Sequence, residues 1–194
     1  MPSQTVVAMS RNRDLDIHPA TLLGLPQEQA MDDCRWHVVY TRARREKVLA
    51  HCLYGMRIPF YCPLIAHRTR APSGRIRRYS IPLFSSYLFM FGTSAMRESA
   101  LQTNHISHIL TVPDEAELCN DLRRIRHLIE SGVPISLEQR MPAGACVRVR
   151  RGPLKGLEGM VLQRRTETRL IVLVNFLQQG ASVLVDMCDV ERIE

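Results

Sequence analysis

Apolar positions alternate from Trp36 to Tyr40 and then switch to helical spacing. Trp36, Val38 and Tyr40 share one face of a predicted strand, and Val48, Leu49, Cys52 and Leu53 predict a helix over 42–54. A second strand runs from Pro59 towards Leu64-Ile65. A third places Tyr87, Phe89 and Phe91 on one side and Leu88 and Met90 on the other. Residues 94–102 suit a helix, and His108–Val112 suits a fourth strand. Asp114 is then a candidate N-cap for a helix whose Leu118, Leu122, Ile125 and Ile129 form one stripe and which Gly132 stops. Through Val112 the order is β-α-β-β-α-β. That order predicts an antiparallel four-stranded sheet with flanking helices.

The pattern changes on either side of this block. Residues 1–34 are polar, acidic and aperiodic, broken by Pro19, Gly24 and Pro26. They predict a disordered leader with a short helix at 26–32, so that order begins at Arg35. Gly132, Pro134 and Pro142 mark a linker at 132–142 between an N-terminal domain over 35–131 and a second domain over 143–194. The second domain reads as short strands at about 146–151, 157–165, 169–176 and 182–186. Val147 and Val149 fall on one strand face, Arg148 and Arg150 on the other. The chain then turns through Gly152-Pro153 and again around Gly156 and Gly159.

Charge sharpens the picture. The net charge is +7, and residues 35–113 hold twelve Lys/Arg against two Asp/Glu. The remaining segments stay close to neutral or acidic. A basic excess confined to one segment points to a face that meets phosphate. Residues 66–79 read as a loop or hairpin tip with Arg68, Arg70, Arg75, Arg77 and Arg78 and no acid. The six cysteines are scattered without a CxxC pair, so they read as reduced thiols rather than metal ligands. No run approaches the ~18 apolar residues of a membrane span. No HExxH, no Ser/His/Asp arrangement and no GK[ST] phosphate loop occurs. The expectation is a cytoplasmic protein that is not an enzyme and needs no cofactor or metal.

The stretch Gly144–Val161 resembles a KOW motif, the opening hairpin of a small SH3-like barrel. The N-terminal half adds Trp36-His-Val-Val-Tyr40, a strand ending in Cys62-Pro63, a basic hairpin, Pro82-Leu-Phe84 with Tyr87-Leu-Phe89, and Ile106–Val112. In this order, over about 36–194, the chain resembles the NusG family of transcription elongation factors. The Pro-Leu-Phe and Tyr-Leu-Phe segments and the short basic hairpin resemble the specialised RfaH-like members. The resemblance implies an α+β fold with a C-terminal SH3-like β-barrel. It also implies a monomer that binds the clamp coiled coil of the largest RNA polymerase subunit, suppresses pausing and promotes antitermination. The barrel would recruit a ribosomal small-subunit protein or Rho. A KOW-type RNA-binding or ribosome-assembly protein is the alternative.

Several residues match the family's sites. Tyr40, Tyr87, Phe89, Ile109 and Leu110 fall where the family presents its apolar polymerase-facing patch, a role suited to large aromatic area. Arg42, Arg44, Arg45, Arg75, Arg77 and Arg78 are candidates for contact with non-template DNA or polymerase, because guanidinium forks suit phosphate and stack on bases. Phe176 is the candidate contact for the barrel's partner. His105 and His108 lie in a segment the family places near DNA.

Overall fold

The structure is a computed structural model; it describes residues 15–24, 33–70, 74–138, 144–164, 167–186 and 189–193. Strand β1 is Ile17–His18, β2 Arg35–Thr41, β3 Phe60–Tyr61, β4 Leu64–Arg70, β5 Ile76–Pro82, β6 Tyr87–Gly92 and β7 Ile106–Thr111. Helices are α1 Glu46–Gly55, α2 Ser94–Leu101 and α3 Glu115–Glu130. The first sheet is antiparallel in the order β1-β3-β6-β2-β7, and β4 with β5 forms a separate two-stranded ribbon.

Both faces of this sheet are covered. Trp36, Val38 and Phe89 join the stripe of α3 in one apolar cluster. Val39, Leu88 and Met90 join Leu49 and Leu53 of α1 and Ala100 of α2 in another. The alternation read from the sequence is therefore correct in phase, since Tyr87, Phe89 and Phe91 pack with one cluster and Leu88 and Met90 with the other. Helix α3 begins as its sequence predicts. Asp114 accepts the backbone N–H of Glu117 at 2.8 Å, and Glu115 accepts that of Trp36 at 3.0 Å, which pins the helix to β2.

The C-terminal sheet contains β8 Ser136–Glu138, β9 Ala145–Val149, β10 Glu158–Arg164, β11 Glu167–Val174, β12 Gln179–Leu184 and β13 Val190–Arg192. Its order is β13-β9-β10-β11-β12-β8, antiparallel throughout. Val147 and Val149 are buried while Arg148 and Arg150 are exposed, as their alternation requires. Gly156 sits at φ +84°, where a side chain would be strained. At Gly159 a Cβ would lie 2.5 Å from the carbonyl oxygen of Ile171, so only glycine lets β10 approach β11 this closely. Together the two layers give an α+β fold.

Three expectations need correction. Order does not begin at Arg35: β1 pairs with β3, and Leu22 and Leu23 are buried in a 3-10 turn held to α3. Arg123 Nε donates to the Leu23 carbonyl and Arg126 Nη1 to that of Ala20, at 2.5 and 2.9 Å. The expected helix at 26–32 lies outside the described residues. The N-terminal sheet has five strands rather than four, because the two-residue β1 adds to its edge. The expected linker carries strand β8, which pairs with β12 through Leu137↔Ala181.

Candidate functional site

Tyr40 stands near the C-terminal end of β2, between two aromatic partners. Its ladder partner on β6 is Tyr87, and its partner on β7 is His108. Directly opposed residues project on the same face, so the three rings form a row across three strands. The Tyr40 and Tyr87 rings lie 5.1 Å apart edge to face, and Tyr40 stacks on His108 at 4.7 Å. Tyr40 and Tyr87 are half-buried and His108 is exposed. Burial, with a smaller contribution from neighbouring Tyr40, pushes the Tyr87 phenol above its ordinary range, so its O–H stays a donor at neutral pH.

The other candidates of this patch divide. Leu110 is half-buried on the same face, opposite Val38. Phe89 also points to that face but is 0% exposed, packed edge to face against Phe84. Ile109 pairs with Val39 and packs with the cluster on the opposite face. The structure thus gathers Tyr40, Tyr87 and Leu110 and adds His108 beside them. Phe89 lies beneath as support, and Ile109 faces away.

A basic turn follows directly from this row. Thr41 N–H donates to the Ser86 carbonyl, and Arg42 N–H to that of His105, both at 2.8 Å. Arg42, Arg44 and Arg45 are exposed, and Arg44 takes the left-handed conformation at φ 60°. Within this cationic stretch Glu46 is only 7% exposed. Its Oε1 accepts the backbone N–H of Ser86 at 2.6 Å. Ser86 has φ 66° and immediately precedes Tyr87. Glu46 therefore ties the start of α1 to the turn that presents the aromatic row. His105 is half-buried, and its backbone rather than its ring serves the turn.

The remaining basic candidates lie on the ribbon. Arg75 is exposed at its tip, Arg77 stands opposite Thr69, and Arg78 directly opposite Arg68. Phe176 lies elsewhere, half-buried in the 3-10 turn Asn175–Leu177 that follows β11. Among the described residues no group of three or more His, Cys, Asp or Glu is placed to hold a metal ion. No helix among them is long and apolar enough to cross a membrane.

Sequence reasoning did not find Glu46, nor Glu117 and Asp121 of α3, which accept from Asn175 Nδ2 at 2.8 Å and from its backbone N–H at 2.9 Å. Each acts through a contact distant in the chain, and a lone carboxylate on a helix gives no periodic signal.

No family model matches the chain, and neither does any curated protein sequence. Among solved structures, the crystal structure of an MjSpt4:Spt5 complex in conformation B matches with a TM-score of 0.30 and 14% identity. The match covers 82% of this chain and 97% of that one.

Proposed function

We propose that this chain is a transcription elongation factor of the NusG type, which sets its aromatic row against RNA polymerase. The observation that carries the reading is the row Tyr87–Tyr40–His108 standing immediately before the exposed Arg42–Arg45 turn. An apolar platform beside exposed cations suits a helical protein surface lying next to nucleic acid. The residues forming it are those on which the sequence resemblance rests. The basic ribbon would meet the same assembly through phosphate or carboxylate. The turn holding Phe176 would meet a second partner, such as a ribosomal small-subunit protein or Rho, and closure on polymerase would suppress pausing and promote antitermination.

The test is a purified transcription assay with and without the protein. Wild type should bind core polymerase and shorten pauses. Tyr40→Ala with Tyr87→Ala should lose both effects while keeping its circular dichroism spectrum. Unaltered retention of polymerase by the folded double variant would remove the assignment. Tight binding to structured RNA with no effect on polymerase would favour an RNA-binding or ribosome-assembly protein.

A further inference from the structure

The strap of residues 15–24 crosses from one helix layer to the other along the margin of the first sheet. It lies antiparallel on β3, with Ile17 opposite Tyr61 and His18 opposite Phe60, and Cys62 N–H donates to the Asp16 carbonyl at 2.6 Å. On the α1 side the His18 ring rests edge to face on Tyr54, 4.9 Å away. On the α3 side the chain turns through Leu22–Gly24, where Leu22 N–H donates to the Pro19 carbonyl at 3.0 Å and Gly24 N–H to that of Thr21 at 2.8 Å.

The groove that holds this strap reads main chain more than side chains. Of residues 15–24 only Leu22 and Leu23 are buried. Three of the hydrogen bonds that hold the strap end on its carbonyls, from Cys62 N–H to Asp16, Arg126 Nη1 to Ala20 and Arg123 Nε to Leu23. Any extended chain offers the same carbonyls. A site of this kind takes affinity from main-chain bonds and specificity from its side-chain pockets, here the two that hold the leucines.

The strap underuses the groove. A cleft of about 500 Å³ stays open beside Leu23, lined by Ala20, Thr21, Gly24, Arg123, Arg126 and His127 among others. A Cβ added at Gly24 would meet nothing within 4 Å. Arg126 has a carboxylate partner in Glu130 at 2.7 Å, whereas Arg123 donates to the Leu23 carbonyl and to Asn120 Oδ1, both neutral. Hydrogen bonds to an ionised acceptor are roughly twice as strong as neutral ones. An acidic side chain placed directly after the leucine pair would supply Arg123 with that acceptor.

We infer that the groove between the β3 margin and the last turns of α3 is a docking site for an extended segment of another protein, in which two adjacent apolar residues precede an acidic one, and that residues 15–24 are its internal stand-in. The stand-in holds the groove by being tethered, since a tethered segment acts at an effective concentration on the order of millimolar. An outside segment displaces it by filling the open cleft and pairing Arg123. The aromatic row ends on β7, the opposite margin of the same sheet. This site is therefore separate from the one proposed for polymerase, and its test contains none.

Fluorescence anisotropy on the full chain tests the site with labelled synthetic peptides of the sequence Leu15–Gly24, one unaltered and one carrying Gly24→Glu. Leu22→Asp with Leu23→Asp in the chain releases its own strap. The unaltered peptide should bind this variant on the order of tenfold more tightly than it binds wild type. The Gly24→Glu peptide should bind about fivefold more tightly again, and adding Arg123→Ala should abolish that difference between the peptides. Should the released variant fail to fold, amide exchange on the wild-type chain decides. The Cys62 amide should then exchange on the order of tenfold faster than the most protected amides of β2 and β6, because the strap leaves by itself. Absence of binding to a folded released variant would overturn the site. So would equal affinity for variant and wild type, or a Cys62 amide that exchanges only with the whole sheet. Equal affinity of the two peptides would overturn the acidic requirement. Dimerisation of wild type by mutual exchange of straps, seen on sedimentation, would give the groove to a second copy and overturn the outside partner.

Discussion

The imidazole of His108 lies 4.7 Å from the Tyr40 ring and is tilted 26° from it. This stacked pair, half-buried at Tyr40 and exposed at His108, crosses from β7 to β2 at the end of the first sheet. Stacked rings contribute about 0.5–1.5 kcal/mol beyond their buried area. A double-mutant cycle with Tyr40→Ala and His108→Ala, read by urea unfolding, should return a coupling in that range. A coupling near zero would mean that the rings are neighbours without mutual support.

Tyr87 and Phe89 should separate cleanly, although both point to one face. Phe89 is fully buried, so Phe89→Ala should lower stability by about 3–5 kcal/mol. Tyr87→Ala should cost far less stability and act mainly on polymerase retention. Chemical denaturation of the two single variants, beside a pull-down, distinguishes a support from a contact.

Glu46 should act on the row at a distance. Removing its carboxylate leaves the Ser86 N–H without its acceptor, which costs about 1–3 kcal/mol for a buried group. Glu46→Ala should therefore lower thermal stability and also weaken polymerase retention. Glu46→Gln, which keeps an acceptor oxygen, should recover most of both. Equal loss in the two variants would mean that the charge matters rather than the hydrogen bond.

Stability should fall in mild acid through His37. Burial is the main cause that holds this imidazole below its ordinary 6.5, and its Nε2 is buried without a partner. A lowered value in the fold means that the neutral form is the folded one. Its contribution is complete above about pH 6.5 and is lost as pH falls from there towards the folded value. His37→Asn should flatten the midpoint of thermal unfolding between pH 6.5 and 5. Burial of Asp121 works in the opposite sense and in a more acidic window. Its carboxyl is held above 3.8, so its contribution is present below that value and is lost as pH rises through the folded one.

The arginines of the ribbon should reveal themselves through salt. Replacing Arg75, Arg77 and Arg78 with Ser should weaken binding to elongation complexes and flatten its salt dependence, by about 0.9 in logarithmic slope per lost phosphate contact. An unchanged slope would leave them as solvated surface.

Much of this architecture is legible in the residues themselves. Asp114, the α3 stripe and Gly132 define a helix because capping and period agree. The phase of β6 and the turn at Gly156 follow from local chemistry alone. Other features depend on partners far along the chain. The two residues of β1 carry no period, yet β3 gives them a ladder. Phe89 reads as a surface aromatic only if one sheet face is open, and α3 closes that face. Ile109 differs from Leu110 only in which side of β7 it occupies. The Asp121–Asn175 contact joins two segments that no local pattern relates.

Strand β8 leaves α3 and immediately becomes the outermost strand beyond β12, with Glu138 opposite Gly180. The C-terminal sheet is thus finished by a piece of chain that reads as belonging to neither half. A fragment cut at the apparent boundary near residue 142 would bare the hydrogen-bonding groups of β12 along that side. Such a bare margin recruits whatever extended peptide is near, most readily the same segment of another copy. The short connector is therefore a guard against self-association as much as a tether.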